Sequence, residues 1–354
     1  MPHPEVLNRT PFAFAPLFVA DEDGRPLVAT IVKATFDIGD DGALGTAARQ
    51  EPVDFAGKFF GEPGKSSWRR EPEVAFEKPG TDCVLLGHAA AARPVPQLDV
   101  GIRIGALQRT ARVFGDRRWD VSLLGQKASP PQPFERLPLL WERAFGGWDR
   151  TPEREELHQH EPRNPLGVGF VGKHGKVRPG AVLPNIEGLD EPMRSPTARP
   201  APAGFGFTGP AWQPRARFAG TCDAKWEAER APLLPKDFDR RFFQAAPDGL
   251  WSPVPLRGDE PVVVVGTCAR GRVEFRLPGI PAPRCEVHLR NGDAAALTTR
   301  LDTVIVDTDA MQVVLLWRAH RALRQGPHEV AVLRVTAEHT PPTSRRPAPA
   351  AAAN

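Results

Sequence analysis

The sequence predicts a mainly β protein: two β-rich lobes, sandwich- or barrel-like, with few short helices and a long ordered Pro/Gly-rich segment between them. Three observations lead there. The chain carries 40 prolines and 32 glycines in 354 residues, and proline at that density breaks helices and keeps strands short. Short apolar runs rich in β-branched residues recur in both halves, bounded by turn-forming residues. Between them, from about 148 to 210, apolar periodicity vanishes while Gly and Pro recur every few residues.

The first element, at 12–38, reads as a β-hairpin: FAFAPLFVA and LVATIVKATFDI flank DEDGRP, which has turn chemistry. Strands are expected at 82–88, 98–104 and 109–114, and 137–146 (LPLLWERAFG) reads as a short helix or a strand. A short helix is expected at 152–158, where Thr151 can cap and Pro152 suits the first helical position. A second is expected at 236–246 (KDFDRRFFQAA), with Asp237 as cap and Phe238 and Phe242 four apart on one face. Strands resume at 261–267, 272–277, 285–290, 297–307, 311–318 and 328–337. This divides the chain into an N-terminal lobe at 1–147, a connecting segment at 148–210, a C-terminal lobe at 211–339 and a disordered Pro/Ala tail at 340–354. The connecting segment holds Phe170, Ile186, Phe205 and Phe207, with Trp212 just beyond. Those are residues of packed structure rather than of a solvated linker.

Composition excludes several classes. A net charge of +3 with no Lys/Arg run argues against nucleic acid. No apolar stretch approaches the roughly 20 residues of a membrane helix, and the N-terminus lacks the pattern of a signal peptide, so a cytoplasmic protein is expected. Cys83, Cys222, Cys268 and Cys285 are scattered, with no C-x-x-C pair, so neither a zinc site nor a disulfide framework is suggested and no cofactor is expected.

Two motifs imitate chemistry. In GVGFVGKH, residues 167–174, Gly167, Gly172 and Lys173 fit G-x-x-x-x-G-K-[ST]. A phosphate loop needs a strand before it and a helix after it, so that backbone N–H groups and the helix dipole face the phosphates. Here Arg163-Asn164-Pro165-Leu166 precedes, a Gly/Pro-rich run follows, and His174 replaces the Mg²⁺-binding hydroxyl. An ordered loop is the better reading. His158 and His160 lack a third ligand at a helpful spacing.

The densest stretch is 220–247, GTCDAKWEAERAPLLPKDFDRRFFQAAP. Its carboxylates suggest acid–base work, and a hydrolase using Asp223 with Asp237 or Asp239 is one alternative. Every acid has a basic neighbour, however, and caps, ion pairs and an aromatic anchor account for the pattern without catalysis. The stretch also resembles a type VI secretion-associated adaptor/chaperone family with a domain of unknown function, the DUF2169 family. The matching residues are Gly220, Thr221, Asp223, Trp226, Arg230, Pro232, Leu234, Pro235, Asp237, Phe238, Asp239, Arg241, Phe242, Phe243, Ala246 and Pro247. Further family-like blocks follow the same order, among them Lys78-Pro79-x-Thr81-Asp82, Gly115-Asp116-Arg117-x-Trp119, Glu142 to Gly147, Asn164-Pro165-x-Gly167-x-Gly169 and Leu183 to Glu187. Trp141 stands where an aromatic such as Tyr is expected, in a chain without tyrosine.

The resemblance implies a role rather than a reaction: a non-enzymatic protein that binds a toxic effector and helps load it onto the secretion spike or its PAAR-type tip. It brings no catalytic residues. A structural accessory of the spike is a further alternative. Exposed aromatics and arginines dominate interface energetics, so Trp148, Trp212, Trp251, Arg215 and Arg217 are the candidate partner contacts.

Overall fold

The computed structural model describes residues 3–122 and 125–338, and the tail expected to be disordered lies outside them. As the sequence predicts, the fold is mainly β, with several sheets and few short helices. No helix among the described residues is long and apolar enough to cross a membrane.

The expected hairpin forms from Ala13–Ala20 and Pro26–Ile38. Asp21 builds its turn by accepting N–H bonds from Asp23 and Arg25, both at 2.9 Å, and Gly24 supplies the positive φ of 79°. Ala13–Ala20 contains Pro16 and pairs on one side only, the edge position where a residue without an N–H is tolerated. Pro26–Ile38 lies inside a seven-stranded sheet between Ala13–Ala20 and Gln312–Ala322. Thr81–Leu86 sits parallel to Arg300–Asp307 in the same sheet, and Trp251–Ser252 extends it.

Both faces of this sheet are covered, which explains why its strands read as continuous apolar runs. Val32, Ala34 and Phe36 face Val100, Ile102 and Ile104 of a second, five-stranded sheet. On the other side Ile31, Val84 and Ile305 pack on Phe207 and Ala245. Val28 meets Val287, Val330 and Leu333 of a four-stranded sheet.

Strands expected in separate lobes share sheets. Residues 26–38 and 81–86 pair with 300–322, and Gln97–Ile104 pairs with Pro261–Val265. The hydrophobic faces are completed across the boundary rather than within each half. Residues 148–210 are largely irregular and lie against the sheets: Ile186, Phe205 and Phe207 are buried, as is Trp212, and Phe170 is half-buried.

The helix expected at 236–246 is not there. Only a 3-10 turn forms, Arg240–Phe243, capped by Asp239 rather than Asp237. The N–H groups of Ala245 and Ala246, which would continue a helix, donate instead to Asp82 at 2.9 and 3.2 Å. The α-helix of this region is Ala224–Glu229, capped by Asp223, which accepts from the Trp226 N–H at 2.8 Å. At 152–158 there is likewise only a 3-10 turn, Glu155–Leu157. Thr151 does not cap it, because its hydroxyl donates to Asp149 at 2.6 Å.

Candidate functional site

The stretch 220–247 is an irregular strap fastened to the sheets by its own polar groups. Gly220 has a φ of 78°, and a side chain there would meet Pro235 at 2.7 Å and Asp237 at 2.9 Å. Asp237 holds the Thr221 N–H at 2.9 Å and its hydroxyl at 2.7 Å. The Trp226 indole donates to Leu233 O at 2.9 Å, and Arg230 donates to Leu234 O and Glu22 O. Phe243 meets Phe238 at 5.3 Å and Phe76 at 5.4 Å between ring centres, while Phe242 lies 5.7 Å from Phe238. Asp82 then anchors the end of the strap: besides the two N–H bonds above it takes the Gln244 amide at 2.6 Å.

The three carboxylates proposed for hydrolysis are thus engaged in holding backbone, and none of them lines the cavity described below. Asp237 is held below its ordinary pKa by the two Thr221 bonds, and Asp239 below its own by Arg241. A general acid needs the opposite shift.

Beside the strap lies a cavity of about 380 Å³, within the range of small-ligand and peptide pockets. It brings together Arg215, Arg217, Arg241 and Trp251 from the sequence-derived candidates. Arg215 is buried and donates to Phe242 O and Thr208 O, both at 2.7 Å, and to Glu71 at 3.2 Å. Arg217 is exposed. The guanidinium carbons of Arg217 and Arg241 lie 4.7 and 4.3 Å from the centre of the Phe218 ring, a cation–π arrangement that braces both. Arg241 is also paired with Asp239, at 2.9 Å from its Nε.

Two further arginines complete the wall, and sequence reasoning missed both. Arg163 is clamped by Glu161 through bonds of 2.7 and 2.9 Å. Arg109 spends its donors on three backbone carbonyls: Gly204 and Asp248 at 2.6 Å and Pro202 at 2.9 Å. Burial lowers its pKa while the charge of Asp248 opposes this. The available signal for Arg109 was its place in the strand Leu107–Phe114, on the side of Ala111 and Val113, which are buried.

The remaining candidates are elsewhere. Trp212 is not a surface anchor: it is 7% exposed and packs edge-on against Trp141, with ring centres 5.5 Å apart. Trp148 is 49% exposed and stacks on His160 at 4.3 Å, on a separate groove. In the GVGFVGKH loop the Gly172 N–H donates to Asp149 at 2.7 Å and the Lys173 N–H to Gln159 at 2.7 Å. The loop's backbone thus holds the protein's own side chains, the Asp149 carboxylate through one N–H and the Gln159 amide oxygen through the next. Burial raises the pKa of Asp149, and the bonds from Thr151 and Gly172 outweigh it and hold the carboxyl below its ordinary value.

Most of the family-like blocks have comparable internal tasks. Lys78 bonds Asp82 at 2.7 Å and pairs with Glu71, Arg117 pairs with Glu187, and Asn164 donates to Trp141 O and Phe145 O at 2.8 and 3.0 Å.

Fold and site together define a β scaffold that carries an arginine-lined cavity beside a strapped-down irregular segment. The family model for uncharacterised proteins conserved in bacteria, DUF2169, matches residues 23–318, and the chain belongs to that family. No match is found among the curated proteins or the solved structures.

Proposed function

We propose that this protein is a non-enzymatic adaptor or chaperone of the bacterial cytoplasm that binds a type VI secretion effector and helps load it onto the spike or PAAR-type tip. The secretion role rests on the resemblance of the 220–247 stretch and its companion blocks. The observation that carries the binding role is the cavity: arginine and tryptophan side chains, the types that dominate interface energetics, converge on it from distant parts of the chain. The engagement of Asp223, Asp237 and Asp239 in capping and turn-holding weighs against the hydrolase alternative.

The test is capture of the tagged protein from its own cytoplasm at native expression and moderate salt, with mass spectrometry of what accompanies it. A toxin-like protein together with a spike or PAAR-type protein, lost when either gene is deleted, is the expected result. Recovery of neither overturns the adaptor reading.

A further inference from the structure

We propose that the cavity beside the strap receives the C-terminal carboxylate of a partner protein. The carboxylate meets Arg217 and Arg241, and an adjoining apolar side chain lies against Trp251 and Pro247. This rests on the adaptor reading, to which it adds the chemistry of the partner.

The charge on the wall is the first argument. Arg109, Arg163, Arg215, Arg217 and Arg241 face the cavity with one acid, Asp248. Arg163, Arg215 and Arg241 have carboxylate partners in Glu161, Glu71 and Asp239. Arg109 and Arg217 have no ion-pair partner among the described residues. Set against Asp248, they leave a single unit of positive charge. One carboxylate neutralises that charge, whereas a phosphate dianion overshoots it.

Preorganisation is the second argument. Phe218 braces the guanidiniums of Arg217 and Arg241, and the backbone carbonyls fix Arg109. Planar guanidinium forks match a carboxylate edge to edge, with two parallel bonds. The same wall already shows that pairing between Arg163 and Glu161.

The third argument concerns what surrounds the charge. Trp251, Phe218, Pro214 and Pro247 give the cavity apolar walls. An inorganic ion would leave them uncovered. A carboxylate on a peptide brings an aliphatic or aromatic neighbour to cover them, as in pockets that capture chain termini. A polynucleotide would need a basic stripe, and the chain's net charge is only +3.

The experiment uses the immobilised full-length chain and a mixture of N-acetylated tripeptides. One set ends in a free carboxylate and an otherwise identical set ends in a carboxamide; retained peptides are read by mass spectrometry. The free acids with an apolar residue in the last two positions should be retained and the amides should not. R217E should lower retention at least tenfold, R217K should keep part of it, and charge reversal at exposed Arg93, which does not line the cavity, should change nothing. Arg217 is exposed and makes no ion pair among the described residues, so R217E keeps the fold, which an unchanged thermal midpoint verifies.

Equal retention of acids and amides, or undiminished retention by R217E, overturns the proposal. So does retention of inorganic phosphate or ATP by a protein that retains no free acid. The cytoplasmic capture, run with wild type and R217E, separates the two readings. An effector that accompanies both proteins equally sinks the carboxylate site and leaves the adaptor standing. Free-acid binding with no effector or spike protein recovered does the reverse.

Discussion

In the core, Lys78 sits between Glu71 and Asp82, Arg318 is paired with Asp302, and Lys33 meets Glu73 at 2.7 Å. On the cavity wall, Arg109 and Arg217 meet no carboxylate among the described residues. Glu71 belongs to both groups: one oxygen faces Lys78 and the other takes Arg215 at 3.2 Å. The difference separates two uses of charge. Core charges are closed within the chain and fix which segments meet, since Asp82 joins Lys78 to the end of the strap. That closure has a cost. Burial holds Asp302 and Glu73 above their ordinary pKa values although Arg318 and Lys33 pull them down. On the wall, the charges of Arg109 and Arg217 are left open beside three paired arginines, and an open charge on a stiff scaffold is suited to something outside the chain.

Breaking a closed pair should have the largest effect. K78M leaves Asp82 without its lysine and Glu71 with Arg215 alone, and the expected loss is about 3–5 kcal/mol, read from the denaturant midpoint. A loss under about 1 kcal/mol would mean that the network does not fasten the strap. The two tryptophans sharpen the contrast between inside and outside. W212A should cost about 3–5 kcal/mol through the cavity it leaves against Trp141, while W148A on the surface should stay within about 0.5 kcal/mol. Similar costs for both would contradict their difference in burial.

A smaller effect is expected at the strap's helix. D223A removes the cap on the Trp226 N–H and should cost about 1 kcal/mol; no change would mean that the short helix is held by its packing alone.

Acid should act on the closed group. Burial would raise Glu51, but Arg70 and Lys33 outweigh it and hold the carboxyl at about 2 against an ordinary 4.5. Because the folded-state value is depressed, its contribution is present above 4.5 and is lost as pH falls from there towards about 2. E51Q should flatten that acid-side loss in urea midpoints measured across the window. An unchanged pH profile would show that Glu51 titrates alike folded and unfolded.

The strands were legible because their signal is local. Alternation and β-branched runs mark Gln97–Ile104 or Arg272–Arg276 without knowledge of any partner. Their arrangement was not, because nothing near Thr81–Leu86 announces a parallel neighbour at Arg300–Asp307. The same limit governs the site. Arg215, Arg217, Arg241 and Trp251 could be singled out by residue type, but Arg109 and Arg163 join them only through the fold. The misplaced helix at 236–246 has the same origin. Phe238 and Phe242 have helical spacing, yet their rings pack on one another and on Phe243 over Phe76, and Asp82 takes the N–H groups that a helix would use.

The pairing of Val32 with Trp317 also sets a timetable for biosynthesis. Pro26–Ile38 leaves the ribosome early, and its neighbour Gln312–Ala322 is almost the last strand to follow. Throughout the interval this strand, buried on both faces in the finished sheet, has neighbours on one side only, Ala13–Ala20 and Leu44–Thr46, and the N–H and C=O groups of its other edge stand unpaired. Folding of the central sheet therefore waits for translation to pass residue 322. The nascent chain needs shielding from its neighbours until then.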